Sequence, residues 1–431
     1  MHTVKYGSSG LMEDQHERNH LFTVCMLSTA HDANDSRITY KEAVSLAKAG
    51  YNTLFIVPHH GEEVIEGVRI VPLPIPRSRS ERMWTTTWRL YRAARQIDAD
   101  VYHFHDPELI PIGLWLKKKG YRVIYDVHED VPRQILSKGW IPKWLRGGVS
   151  RLVERIELWA SLRFDAIVTA TTHIEERFAR HPKCYTKTVC NYPILDEFVH
   201  TAESPQSVQS VQSGEFIGIS QHAGKEDAVC YVGSIGNIRG LQQIVGAMEF
   251  GIPDKKLLLA GSFASAEEKH VAMGRSGWAK VDYLGQLNRK QVYETMARSR
   301  AGLVILHPTI NYIDALPIKL FEYMAAGIPV IASDFPKWRQ IIEQAGCGFC
   351  VDPFDLEGIS ERIDWLITHH EEAEEMGRCG QEAVQSLYHW NVEKEKLLHV
   401  YADVTGRIRK EEVQQTAFGM MNRERERKVV K

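Results

Sequence analysis

The sequence predicts an α/β protein of two doubly wound, mostly parallel sheets, and three observations predict it. The chain has 431 residues, 44% of them hydrophobic, more than one core usually organises, so two domains are expected. Apolar runs of strand length alternate with longer segments of helical period, and this alternation occurs twice. Between the two blocks lies TAESPQSVQSVQSGEFIGISQHAGKED (201–227), rich in Ser, Gln and Gly and poor in apolar runs, which is the composition of a connection.

The first alternation begins with the strand LFTVCMLST (21–29) and the helix ITYKEAVSLAKAG (38–50), which Gly50 should close, and NTLFIVP returns to strand character. It continues through VRIVPLPIP, the helical TTTWRLYRAARQ, DVYHFHD, the short helix IPIGLWLKKKG, VIYDVHED, a long helix near 146–162, DAIVTAT and TKTVCNYP. The second alternation runs VCYVGSI, a helix from Gly240, KLLLAGS, VDYLGQL, the helix NRKQVYETMARS, AGLVILHP, the helix IKLFEYMAAG, PVIAS, a helix around KWRQIIEQAG and GFCVDP. Residues 355–410 are helical by pattern. The expected organisation is therefore a polar leader (1–20), a first Rossmann-like domain (21–200), the connection (201–227), a second Rossmann-like domain (228–385), a late helix (386–410) and a mixed-charge tail (411–431).

Composition narrows the function. Fifty-three basic against 55 acidic residues give a formal charge of −2, which excludes a wholesale nucleic-acid coat. Seven cysteines in so long a chain do not read as a disulfide scaffold. Cys347 and Cys350 have the spacing of a metal or redox pair, but no second pair or His cluster follows, so the pair reads as structural and no metal is expected. No secretory signal is visible near the amino terminus, and no run of 18 apolar residues occurs, so a cytoplasmic location is expected.

Open parallel sheets place ligands beyond the carboxyl ends of their strands, which directs attention to the polar residues just after each apolar run. In YVGSIGNIRG (231–240), Gly233, Ser234 and Gly236 surround a strand-to-helix turn that ends in Arg239, an arrangement of backbone donors and a cation suited to a diphosphate. The string is neither GxGxxG nor a Walker motif, so neither a nicotinamide enzyme nor a nucleoside triphosphatase is supported, and ordinary turn glycines would look the same. More informative is Asp314, seven residues, then Glu322, followed by YMAAGIPVIAS. Pro317 is placed to open a helix and Gly327 to close it. Glu322 shares a broad helix face with Lys319, whereas Asp314 belongs to the preceding loop. A solvent-facing salt bridge with Asp314 as a loop cap is the competing reading.

The segments DALPIKLFEYMAAGIPVIAS, YVGSIGNIRG and YHWNVEKEKLLHVYADV together resemble the retaining glycosyltransferases of family 4, which have the GT-B fold of two facing Rossmann-like domains with a carboxy-terminal crossover helix. DVYHFHDPELIPIG and VIYDVHED resemble a bacterial polysaccharide or glycolipid subset. The resemblance covers roughly 21–405 and implies the following roles. Glu322 and Leu320 lie where the family binds donor nucleotide. Asp314 stands where a glutamate usually stands near the transferred sugar, one methylene shorter. Arg239 and Lys319 form the diphosphate clamp, and Ser234 replaces a usual Arg. His105, after DVYHF, matches the histidine that reaches the donor sugar and phosphate, or simply caps the strand end, while His103 points into packing. His128, Glu129 and Asp130 line the acceptor side. The family's glycine loop after the first strand is absent, so His31, Asp35 and Arg37 orient acceptor through side chains, or Asp35 simply caps the next helix with Arg37 as a solvent-facing neighbour. No metal or other cofactor is implied. The implied donor is a nucleotide-diphosphate sugar, UDP before GDP, and the implied acceptor is a saccharide or lipid-linked glycan, with the two domains closing around both.

Two local patches stand out. Arg77 to Arg95 holds six arginines against Glu81, with Trp84, Trp88 and Tyr91 interspersed, and Lys138 to Arg155 holds five cations against Glu154, with Trp140 and Trp144. Such surfaces suit anionic lipid at the inner face of the plasma membrane more than nucleic acid, for which no reading motif is present, although solvated helix faces with buried tryptophans have the same pattern. Two other functions share these motifs: a GT-B sugar-nucleotide epimerase and a non-catalytic sugar-nucleotide-binding assembly protein.

Overall fold

The computed structural model describes residues 21–139, 141–199 and 224–406. The expected leader and tail, most of the connection, and Trp140 lie outside the described residues. Two compact units emerge: Met1–His128, Arg151–Val189 and Lys394–Lys431 form one, and Glu129–Ser150 with Cys190–Glu393 form the other.

The first unit carries eight strands: β1 (Thr23–Leu27), β2 (Asn52–Pro58), β3 (Glu63–Ile65), β4 (Val68–Leu73), β5 (Val101–Phe104), β6 (Arg122–Val127), β7 (Ala166–Thr169) and β8 (Thr186–Thr188). Their order is β3-β4-β2-β1-β5-β6-β7-β8, and every pairing is parallel except β3 with β4. The order reverses at β1, whose carboxyl end and that of β5 form the switch point where ligands bind in such sheets. β1, β5 and β7 are buried along nearly their whole length, as strands covered on both faces must be. β3 was not expected. Its hairpin depends on Glu66 and Gly67, both left-handed at φ 47° and 88°, the pair of positive φ values a type I′ turn requires.

The second unit holds β9 (Ala228–Val232), β10 (Lys256–Ala260), β11 (Val281–Gly285), β12 (Ala301–Val304), β13 (Val330–Ser333) and β14 (Gly348–Val351), all parallel in the order β11-β10-β9-β12-β13-β14. Here the switch point is at β9 and β12. One apolar cluster, including Phe321, Tyr323 and Trp338, fills one side of this sheet, and another, including Leu241, Ile244 and Ile363, fills the other. Helices Leu356–Thr368, His370–Ser386 and Trp390–Thr405 complete the described chain. From Lys394 onward the last helix belongs to the first unit, where the Tyr401 hydroxyl lies 2.8 Å from His103 Nδ1. Among the described residues no helix is long and apolar enough to cross a membrane.

Candidate active site

In the first unit the carboxyl ends of β1, β5 and β6 converge. Asp106, directly after β5, organises the loop after β1: its Oδ2 accepts from Ser28 Oγ at 2.8 Å, Thr29 N at 2.6 Å and Ala30 N at 3.2 Å, and its Oδ1 lies 3.2 Å from His31 Nδ1. Burial opposes ionisation of Asp106, but His31 and these donors outweigh it and hold the carboxyl well below its usual range. His31 is correspondingly raised, burial being overcome by Asp106.

Beneath this rim is a buried polar cluster. Arg37 donates to both oxygens of Asp126 at 3.1 Å and to Val189 O at 2.7 Å, and its Nε lies 2.9 Å from Glu42 Oε1. Asp126 also receives His128 Nε2 at 3.0 Å, with His105 Nδ1 at 3.4 Å. Burial and then the Asp126 charge push Glu42 well above the carboxylate range, whereas Arg37, His128 and the hydrogen bonds hold Asp126 well below it in spite of burial. Burial lowers His105 to about 4, so it is neutral near pH 7. Glu42, His103, His105 and Asp126 bring one ligand atom each within 4.8 Å of one another, the donor set of a transition-metal site. The Arg37 guanidinium already lies against both acids, so a dication there would face a fixed positive charge.

These contacts bear on several sequence expectations. The His105 side chain has no exposed surface, so in this structure it offers nothing to a sugar; β6 instead brings His128 to the surface, its side chain 16% exposed and its ring 5.1 Å from that of His31. Arg37 is buried, not solvent-facing, because Asp126 and Val189 O claim its donors. Asp35 caps the following turn, Oδ1 accepting from Arg37 N at 2.8 Å and Ile38 N at 2.9 Å. His103 packs inward as expected.

Glu129 and Asp130 fall in the second unit. Glu129 is exposed and accepts from Gln134 Nε2, and Asp130 caps helix Val131–Ser137 by accepting from Arg133 N.

In the second unit the turn after β9 is built as its glycines require. Gly240 has φ +81°, and a Cβ there would sit 1.8 Å from Ile305 O. A 3-10 turn, Asn237–Arg239, leads into helix Leu241–Ala247. Helix Ile318–Ala325 has Pro317 at its N-cap, and Gly327 follows it at φ +71°. From its first turn Lys319 reaches back so that Nζ lies 3.8 Å from the Tyr231 ring centroid, with no hydrogen-bond partner among the described residues. Arg239 reaches the same tyrosine at its other end: the Tyr231 hydroxyl donates to Ser234 O at 2.8 Å and interacts with the Arg239 guanidinium. Burial, then the Arg239 charge, lowers Lys319 to about 7. Two cations therefore meet at Tyr231, and Lys319 stands beside Gly233, where a Cβ would come 3.3 Å from its Nζ.

Ser234 is exposed and Gly236 buried. Glu322 is part-exposed on the same helix as Lys319, and Asp314 lies 3.7 Å from Lys337 Nζ in the preceding loop. Leu320 is completely buried in the apolar core, so its side chain is not available to a nucleotide. Cys347 and Cys350 are unbonded thiols, the first buried and raised to about 12 by that burial, as a structural pair would be. Sequence reasoning passed over Asp106, Asp126, Glu42 and Tyr231. Asp126 carried a signal, since two residues along a strand share a face and His128 follows it by two.

The described tryptophans of the basic patches are exposed: Trp84 is 78% and Trp144 81% accessible, and Trp88 is about half exposed. Solvated faces with buried tryptophans are thereby ruled out for these residues.

Residues 213–383 match the family model "Glycosyl transferases group 1", and residues 36–184 match "Glycosyl transferase 4-like domain". A phosphatidyl-myo-inositol mannosyltransferase of Mycobacterium leprae is 23% identical over 358 residues, covering 80% of this chain and 84% of that protein. Spore coat protein SA of Bacillus subtilis is 24% identical over 54% of this chain and 64% of its own length. Sucrose-phosphate synthase from Thermosynechococcus elongatus superposes with a TM-score of 0.67 at 16% identity, covering 90% of this chain and all of that one. An Anabaena protein crystallised with UDP and glucose gives 0.64 at 13% identity, covering 89% and 100%. The chain has the GT-B fold and is related to glycosyltransferase 4-like domains.

Proposed function

We propose that this protein is a retaining glycosyltransferase that moves a hexose or N-acetylhexosamine from a UDP or GDP sugar to a saccharide or lipid-linked acceptor in cell-surface glycan synthesis. The observation that carries this reading is Lys319, a buried ammonium without a hydrogen-bond acceptor among the described residues, seated on the Tyr231 ring while Arg239 meets the hydroxyl of that tyrosine beside a glycine turn. Such a group needs an anion, and a diphosphate supplies one. As the glycosidic bond breaks, negative charge grows on the leaving diphosphate, so Arg239, Lys319 and the amino end of helix Ile318–Ala325 stabilise the transition state more than the ground state. Glu322 holds the ribose hydroxyls and Asp314 the sugar, and the leaving phosphate takes the acceptor proton in same-face attack. His128, a part-exposed imidazole at the end of β6, takes the sugar-facing role that the sequence pattern gave to His105. His31 helps orient acceptor, and no metal takes part. The basic patches with exposed Trp84, Trp88 and Trp144 hold the protein peripherally at the cytoplasmic face of a membrane.

Mass-spectrometric screening of UDP, GDP, ADP and dTDP sugars against a lipid extract tests the reading, with Glu322→Ala and Arg239→Ala as controls. Transfer that needs acceptor and is lost in both variants is expected. Epimer formed from donor alone would replace the proposal with an epimerase. Donor binding without turnover, abolished by Glu322→Ala, would make the protein a non-catalytic binder.

A further inference from the structure

The buried cluster below His128 is costly: two carboxyls, two imidazoles and a guanidinium lie out of water, with His103 Nε2 and His105 Nε2 lacking hydrogen-bond partners among the described residues. Stability alone does not explain such a choice, since apolar side chains of similar volume would serve the core as well. The part-exposed His128 ring connects the cluster to the surface. His128 Nε2 points inward, 3.0 Å from Asp126 Oδ2 and 3.2 Å from His105 Nδ1. Nδ1, on the opposite side of the ring, hydrogen-bonds no group among the described residues.

A neutral imidazole carries its proton on one nitrogen only, and an ionised carboxylate can only accept. We propose that Asp126 is the positioning residue that holds His128 in the Nε2–H tautomer, so that the Nδ1 lone pair is presented outward to a hydroxyl of the bound sugar. The inference rests on the sugar-facing role given to His128 above.

The neighbours serve this one function. Arg37 fixes Asp126 through both oxygens and is itself pinned by Val189 O, so the carboxylate keeps its charge and its orientation. The Arg37 charge holds the Asp126 carboxyl well below the usual carboxylate range against the burial that opposes it, while burial and then the Asp126 charge push the neighbouring Glu42 upward. Asp126 lies near the end of β6 and His128 directly follows the strand, two residues on, where its Nε2 meets Asp126 Oδ2 at 3.0 Å. A carboxylate behind an imidazole is a recurrent way to fix tautomer and ring orientation.

The experiment uses full-length protein labelled with 15N-histidine. Two-bond 1H–15N correlations distinguish Nε2–H from Nδ1–H imidazole, and the His128→Gln spectrum identifies the His128 signals. The wild type is expected to show His128 as Nε2–H, and Asp126→Asn to shift the population toward Nδ1–H. An Nδ1–H ring in the wild type overturns the proposal outright, and this measurement stands even if Asp126→Asn does not fold. In turnover of the nucleotide sugar found by the screen, Asp126→Asn should lower kcat about 10- to 100-fold with little change in KM, and should cost nothing more when added to His128→Gln. An equal cost in both backgrounds would mean that Asp126 acts on the fold instead. If His128→Gln leaves turnover unchanged, the sugar-facing role of His128 falls, whereas the tautomer measurement still decides what Asp126 does.

Discussion

Replacing Lys319 with Met should make the unliganded protein more stable and unable to hold a diphosphate. Lys319 falls from 10.5 to about 7 because its ammonium is buried and faces Arg239. A depressed lysine pKa means that the unfolded chain binds more protons between pH 7 and 10.5, so stability rises with pH through that window and the destabilisation is fully present below pH 7. The shift corresponds to about 5 kcal/mol at pH 6 and about 2 kcal/mol at pH 9. Contact with the Tyr231 face returns about 0.5–2 kcal/mol of this while the ammonium is charged. Met fills similar volume without charge, so Lys319→Met should gain about 2–4 kcal/mol at pH 6, which appears as several degrees in Tm. Thermal denaturation at pH 6 and pH 9, with and without UDP, is the assay. UDP should raise the Tm of the wild type and leave that of the variant unchanged, and the variant's advantage should shrink at the higher pH. A variant less stable than wild type at pH 6, or an advantage independent of pH, would refute the view that Lys319 is a strained cation awaiting an anion.

Three further outcomes follow from particular contacts. Gly240→Ala should cost about 3 kcal/mol or more, since it combines a left-handed backbone with a Cβ 1.8 Å from Ile305 O; a urea midpoint close to wild type would contradict this. Tyr401→Phe removes the partner of the buried His103 Nδ1 and should cost about 1–3 kcal/mol, measured by chemical denaturation. Trp84→Ala with Trp88→Ala should leave stability within about 0.5 kcal/mol, as exposed positions do, yet abolish flotation with anionic vesicles. Retained flotation would separate these tryptophans from membrane contact.

The sheets were legible because their strands are short apolar runs punctuated by turn chemistry, and the donor-side helix because Pro317 and Gly327 mark its ends. The β3 hairpin was missed because its turn uses Glu66 in place of the usual Asn or Asp before glycine. The first unit's site was legible only as a set of strand ends. Period-two alternation gives the face on which His103, His105, Asp126 and His128 stand, but not what covers that face.

By itself, then, the sequence determined two parallel α/β sheets, the strand ends that carry polar residues, and the helix that brings Lys319 and Glu322 together, all products of local periodicity and backbone preference. Tertiary structure decided which of these groups meets solvent. Tyr401 arrives 298 residues after His103 to cover it, and Arg37 crosses 89 residues to Asp126. With those partners in place, His105 is sealed and His128 is exposed, and Lys319 is stripped of water beside Tyr231. Burial and electrostatics depend on distance in space, and residues far apart along the chain set that distance only once it has folded.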